Sequence, residues 1–249
     1  MSTKPEISVI CANYNHSQYI EEAVTSILHQ SFSDLEVLIV DDGSTDNSKE
    51  VIESICKLDD RIRAPIYLPQ NKGKWFALNT AIAQAQGKLI TLQDADDLSH
   101  KSRLRRQHDV MQFQNSFHNL CGFANCSNEK EIAEAMLWDE KQMIGYDILD
   151  HQEVVKKVYE GYKTPGINHY YMGPTFETHG ASTMFYRQHW ELGLRFNPNS
   201  MGLMPKIAGE DGDHNFRLTM LLQKTSVLKN PLYIYRRHFS TNPSWKLGL

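Results

Sequence analysis

Short β-branched runs alternate with amphipathic stretches over the first 115 residues, and this alternation admits few topologies. Ile7-Ser8-Val9-Ile10-Cys11-Ala12 is apolar, bounded by polar residues and of strand length. Ser17 is positioned to cap a helix running to about His29, with Ile20, Ala23, Val24, Ile27 and Leu28 at helical spacing. Leu35 to Val40 is a second strand, and the turn Asp42-Gly43-Ser44-Thr45-Asp46 leads into a helix ending near Lys57. Arg61 to Leu68 is a weaker third strand, interrupted by Pro65. Trp75 to Ala85 is helical, with Gly87 as its stop, and Lys88 to Leu92 is a fourth strand. Lys101 to about Phe113 is helical and basic on one side. Strands joined by helices of this length imply right-handed crossovers and a mainly parallel, Rossmann-like sheet flanked by helices.

The second half is less regular. Leu120 to Ala124, Ser182 to Tyr186, Val227-Leu228 and Leu232 to Tyr235 read as short strands. Lys130 to Leu137, Gln152 to Tyr159 and Asp213 to Leu222 read as helices. Gly161 to Gly180 reads as loop. We therefore expect an α/β fold with a smaller mixed subregion. Residues 1–115 and 116–249 would be two halves of the same single domain.

Ligands in parallel sheets bind beyond the carboxyl ends of the strands. The loops there are Asn13-Tyr14-Asn15, Asp41-Asp42-Gly43-Ser44 and Asp94-Ala95-Asp96-Asp97, so polar, aromatic and acidic groups converge on one edge. Carboxylates crowded at a strand tip repel one another and resist burial. Two readings fit the last cluster: a solvated loop opening the next helix with an Asp as cap, or a seat for a divalent cation carrying a diphosphate. Two further acidic pairs, Asp41-Asp42 and Glu210-Asp211, favour the second.

Composition closes other routes. The 249 residues suit one large domain, and 41% hydrophobic content supports a core. A net charge of -4 offers no basic field for nucleic acid. No apolar run of about 18 residues is present, so no spanning helix is expected. The first residues lack a signal-peptide core, so a cytoplasmic chain is the expectation, with peripheral contact at the inner face of the membrane compatible. The cysteines, Cys11, Cys56, Cys121 and Cys126, have no zinc-site spacing and read as reduced structural thiols. The Gly-x-Gly-x-x-Gly, P-loop and Gly-x-Ser-x-Gly patterns are absent.

Four blocks resemble the family 2 glycosyltransferases of GT-A fold: Ala12-Asn13-Tyr14-Asn15, Val40 to Asp46, Asn71-Lys72-Gly73 with Asn79, and Leu92 to Asp97. Together they span roughly residues 6 to 115. Gly209-Glu210-Asp211 and Tyr235-Arg236-Arg237-His238 resemble the acidic pair and closing motif of many members. Residues 116 to 200 carry no such match.

The resemblance implies sugar transfer, with inversion, from a nucleotide diphosphate donor, expected to be a UDP-sugar, to an acceptor hydroxyl on a glycan or glycolipid, in the synthesis of surface polysaccharide or glycoconjugate. It implies Mn²⁺ or Mg²⁺ as cofactor, with residues 1–115 as the nucleotide-sugar-binding half of the domain and residues 116–249 as its acceptor-binding and catalytic-base half. By position it puts Ala12, Tyr14, Asn15, Asp42, Lys72 and Asp94 at the nucleotide. Ala12 would contribute backbone, Tyr14 would pack on the base, Asp42 would accept from the base N–H, and Asp94 would reach the ribose. The family usually has Pro or Thr where Ala12 stands. Asp96 would bind the metal, with His238 as a further ligand, a phosphate contact or a plain surface residue. Asp97 would support the metal site or cap the next helix. Lys72 and Lys74 would neutralise phosphate or simply be solvated. Asp211 would be the general base, with Glu210 as its alternative, or else a plain helix cap. Tyr159, Tyr162, Tyr170, Tyr171 and Phe176 would be packing or an acceptor groove, and Met201 to Met204 a mobile lid or a plain surface loop. Two rival readings are a sugar-phosphate nucleotidyltransferase, which would need a Gly-rich, Arg-bearing loop where Asn13 to Ser17 stands, and a nucleotide-binding pseudoenzyme.

Overall fold

The computed structural model describes residues 4–138, 148–156, 178–197 and 210–237, and among these not the side chains of Thr178 and Glu210. Its elements are β1 (Ile7–Asn13), α1 (Ile20–Leu28), β2 (Leu35–Asp41), α2 (Ser48–Ile55), β3 (Ile66–Tyr67), α3 (Lys74–Ile82), β4 (Leu89–Asp94), β5 (Leu98–Ser99), α4 (Arg103–Phe113), β6 (His118–Cys126), α5 (Glu129–Met136), β7 (Ile148–Leu149), β8 (Thr178–Tyr186), α6 (Arg187–Glu191), α7 (Glu210–Leu222) and β9 (Thr225–Arg236).

The strands form one nine-stranded sheet in the order β3-β2-β1-β4-β8-β6-β9-β5, with β7 pairing β9. The run from β3 to β4 is parallel. Beyond β4 the sheet is mixed: β8 is antiparallel to β4 and β6, whereas β9 is parallel to β6. The chain leaves β1 towards β2 and β3, then returns to β4 on the other side. This makes the carboxyl end of β1 a switch point, where a crevice opens between diverging loops.

Alternation along β1 explains why both faces are covered. Ile7, Val9 and Cys11 pack with α1 and α2 residues Ile20, Val24, Ile27, Ile52 and Ile55. Ile10 packs on the other face with Ala77, Leu78 and Ala81 of α3. All of these are essentially buried, as a parallel sheet between helix layers requires. Cys11, Cys56, Cys121 and Cys126 are free thiols.

Some boundaries differ from the sequence expectation. Ser17 does not cap α1: Tyr19 holds that position, and the Ser17 N–H is bonded to Asp46 Oδ2 at 3.0 Å. The third strand shrinks to Ile66–Tyr67 plus a bridge between Val37 and Ile62, because Pro65 has no N–H for the ladder. The two C-terminal runs join as the single strand β9, whose register against β6 shifts around Gly122. A side chain at Gly122 would collide with the Lys229 carbonyl. Residues 178–180, expected as loop, begin β8. No helix of the described residues is long and apolar enough to cross a membrane.

Candidate active site

At the carboxyl ends of β1 and β2 the loops are tied to one another by side chains. Asn13 Nδ2 donates to Asp41 Oδ1 at 2.7 Å, and Asp41 also accepts the Ser44 N–H at 2.9 Å and hydroxyl at 2.6 Å. Asn15, in the left-handed region at φ 58°, accepts the Thr45 N–H at 2.7 Å and donates its own N–H to Ser44 Oγ at 2.9 Å. Asn tolerates that conformation, and its side-chain oxygen is engaged in the loop tie. Gly43 is required: at φ 72° its Cα lies so close to Gln70 that a Cβ would meet that carbonyl carbon at 2.6 Å.

Asp42 is buried and accepts the backbone N–H groups of Lys72 and Gly73, each at 2.8 Å. Each carboxylate oxygen keeps a second lone pair. Lys72 matches the solvated reading of its side chain. Its side chain is exposed, its ammonium sits 4.6 Å over the Phe76 ring, and it does not line the cleft. What it gives the site is its backbone N–H. The lysine in the cleft is Lys74.

A cleft of about 300 Å³ opens here, lined by Ala12, Asn13, Tyr14, His16, Asp42, Asn71, Lys74, Ala77, Asp94, Ala95 and Asp96. Tyr14 is 41% exposed at its edge.

The acidic turn after β4 is far from a solvated loop. The Asp94 N–H donates to the Tyr233 hydroxyl at 3.1 Å, and Gln93 Nε2 donates to the carbonyl of Asp97 at 2.8 Å. Asp97 is buried and does not cap α4, whose capping position is Ser102. Its Oδ1 accepts the Arg236 N–H at 2.8 Å. Burial, then the charges of Asp96 and Asp94, push the Asp97 carboxyl well above the usual range, against the pull of the Arg236 N–H. The Arg236 side chain donates to the Asp96 carbonyl at 3.2 Å and pairs with Glu22 at 2.6 Å and with Glu129. Beneath the turn the fully buried Arg103 donates to Thr91, Ser99, Gln93 and the carbonyls of Leu92 and Ala181, with the Tyr233 ring 4.9 Å away. Asp96 itself faces the cleft, with His16 Nε2 4.0 Å from its Oδ2.

The far wall comes from the mixed half. Asp211 lies in the first turn of α7, against Gly180 of β8, where a Cβ would meet the Asp211 Cβ at 2.6 Å. Lys74 Nζ lies 2.6 Å from Asp94 Oδ1 and 2.6 Å from Asp211 Oδ2. Burial opposes the lysine's charge, but Asp211 and Asp94 outweigh it and hold its pKa well above the ordinary value. Asp211 Oδ1 is buried with no hydrogen-bond partner among the described residues. Thus Asp42, Asp94 and Asp96 open into one cleft, and Asp211 joins it through a single ammonium. The Glu210 side chain, His238, Tyr159, Tyr162, Tyr170, Tyr171, Phe176 and Met201 to Met204 lie outside the described residues.

The residues present fit a divalent cation. Asp94, Asp97 and His179 each offer a ligand atom, all within 4.8 Å of one another. Two carboxylates and an imidazole are ligand types that divalent cations accept. Asp96, expected from sequence as a ligand, is not in that group but lies one residue away on the cleft side; His238 lies outside the described residues. His179 stacks between Tyr233 and Tyr235, each ring 4.9 Å away, with Nδ1 3.9 Å from Asp94 Oδ2. Burial lowers its pKa against the pull of Asp94, which favours the neutral imidazole, and Nδ1 accepts the Ala181 N–H at 3.3 Å. Sequence reasoning missed His179: it lies at the end of a Gly-, Pro- and Tyr-rich stretch with no periodic signal.

The crevice thus lies at a switch point of an α/β sheet and is walled by acidic strand ends. The family model for Glycosyl transferase family 2 matches residues 8–192. The chain belongs to that family. It is 37% identical to the glycosyltransferase TuaG of Bacillus subtilis over 121 residues, 49% of this chain and 48% of TuaG. It is 26% identical to the glycosyltransferase GlyG of Streptococcus pneumoniae over 231 residues, 93% of this chain and 70% of GlyG. The chain thus spans about half the length of TuaG. Among solved structures, S. aureus TarS 1-349 in complex with UDP-GlcNAc superposes with a TM-score of 0.66 at 18% identity, covering 94% of this chain and 59% of TarS 1-349. The mannosyltransferase PcManGT of Pyrobaculum calidifontis, in complex with GDP-Man and Mn²⁺, gives 0.65 at 20% identity, covering 98% of this chain and 61% of that one. At these identities the likeness establishes the fold, which is that of the GT-A glycosyltransferases.

Proposed function

We propose that the protein transfers a glycosyl group from a UDP-sugar to an acceptor hydroxyl, with inversion at the anomeric carbon. The observation that carries this reading is the single cleft that gathers Asp42, Asp94 and Asp96, with Asp211 one ammonium away. Asp42 offers only acceptor atoms, which suits the N3–H of uracil. Tyr14 supplies an exposed aromatic ring at the cleft edge for the base, and Ala12 supplies backbone. Asp94 and Asp96 face the ribose and diphosphate region, together with His179 and Asp97. A divalent cation held there would supply Lewis-acid neutralisation of the departing nucleoside diphosphate.

The proton of the acceptor hydroxyl passes to Asp211, whose Oδ1 has no competing hydrogen bond among the described residues. The acceptor oxygen then bonds to the anomeric carbon as the bond to the diphosphate oxygen breaks. One displacement inverts the centre and needs no protein nucleophile. Glu210 is the alternative base. TuaG is named for teichuronic acid biosynthesis, and a role in a surface glycan, with a glycan or glycolipid acceptor, is the corresponding proposal here.

The test is a panel of UDP-, GDP- and other nucleotide sugars incubated with Mn²⁺ and read by mass spectrometry. Slow hydrolysis of one UDP-sugar is expected. Turnover of a GDP-sugar alone would reassign the base, and turnover of none would favour a non-catalytic nucleotide-binding role.

A further inference from the structure

We propose that Lys74 is a positioning residue: a resident cation shared by the donor-side and acceptor-side carboxylates, which fixes Asp211 and competes with a divalent cation for Asp94. The assignment rests on the roles proposed above for Asp94 and Asp211.

Lys74 opens α3 immediately after Gly73, which is at φ 93° and whose N–H is held by Asp42. The stem therefore starts from backbone that the nucleotide-side carboxylate itself fixes. Its ammonium then touches Asp94 and Asp211 at equal distance, 2.6 Å. Asp211 comes from a helix that begins 136 residues after α3 does, so α3 bridges regions that the chain does not otherwise join locally. From behind, Gly180 lets Asp211 approach without offering it a side chain. Lys74 is thus what directs the Asp211 carboxylate, binding Oδ2 and leaving Oδ1 without a partner among the described residues.

Two effects of opposite sign follow. With the ammonium gone, two carboxylates face one another across its place and the cleft gains a negative charge. A divalent cation then binds more strongly, because its competitor for Asp94 has been removed. Asp211 at the same time loses the contact that orients it, and transfer slows. A lysine that merely supported the fold would weaken both.

The experiment uses the full chain with Lys74→Met and Lys74→Arg. Mn²⁺ alone is titrated by calorimetry, without nucleotide, and donor kinetics are measured separately. Lys74→Met should bind Mn²⁺ about fivefold more tightly, with kcat lower by about 10- to 100-fold and donor KM little changed. Lys74→Arg, which keeps the charge, should return Mn²⁺ affinity towards wild type and restore part of kcat. Unchanged or weaker Mn²⁺ binding by Lys74→Met overturns the proposal, as does wild-type kcat. If Lys74→Met does not fold, Lys74→Gln replaces it under the same criteria. The Mn²⁺ titration involves no nucleotide, so a failure of the glycosyl-transfer reading would show in the wild type and remain distinct from a failure of Lys74.

Discussion

The two walls of the cleft are built differently. On the side proposed for the donor, loops that follow neighbouring parallel strands are cross-tied: Asn13 to Asp41, Asn15 to Ser44 and Thr45, Asp42 to Lys72 and Gly73. On the side proposed for the acceptor, Asp211 stands on a helix end, backed by one glycine and reached by one lysine among the described residues. Many short ties make a preorganised surface, which suits binding. One long tie makes a wall whose chemistry depends on a single orientation, which suits a step where small misplacement is costly. Mutations should therefore separate binding from turnover.

The sharpest separation is expected from Asp211→Asn. Transfer should fall by about 10²–10⁴, while UDP binding in the presence of Mn²⁺ stays near wild type; single-turnover assay and calorimetry read the two. Retained transfer would move the base to Glu210. Next come the groups around the acidic turn. Asp96→Ala should remove metal-dependent UDP binding, and His179→Ala should weaken Mn²⁺ affinity by about 10- to 100-fold. Wild-type Mn²⁺ affinity in His179→Ala would leave the cation to the carboxylates alone. Gly180→Ala should push Asp211 away and cost about 1–3 kcal/mol of stability, lowering kcat with little change in UDP affinity.

Acid should act on the acceptor side first. His118 and His214 are buried in β6 and α7, and burial lowers each pKa to about 3. Folded, both stay neutral; unfolded, both take a proton below about pH 6.5. Stability therefore falls as pH drops from about 6.5, by at most about 1.4 kcal/mol per unit for each group. Hydrogen exchange at pH 5 against pH 7.5 should show β6 and α7 loosening before β1 and β2. The smallest effect is that of Asn15→Ala, about 1 kcal/mol in thermal melting, because Ser44, Asp41 and Asn13 still tie the same loops.

The same contrast decides what the sequence reveals. β1, β2 and β4 are legible because their apolar period and turn residues are local, and the loops at their ends must share one edge once the strands are parallel. The acidic triplet is legible as a cluster, though not as a buried one: the groups that stabilise it, Arg236 and Tyr233, lie 139 residues further along. Lys74 and Asp211 meet across 137 residues, a pairing no periodicity encodes. Lys72 shows a different limit. Its residue type left a phosphate contact and a solvated chain open, and the contact it makes with Asp42 is through the backbone N–H, which any residue but proline could supply. His179 owes its place to stacking between two tyrosines of β9, and nothing near it in sequence signals that.

The central claim is that the acidic turn and its neighbours hold a nucleoside diphosphate through a divalent cation. Calorimetric titration of UDP into the wild-type chain, first with Mn²⁺ and then with a chelator, tests it directly. Saturable binding with Mn²⁺ that disappears on chelation is the predicted result. Equal affinity in both conditions, or no binding in either, would contradict it.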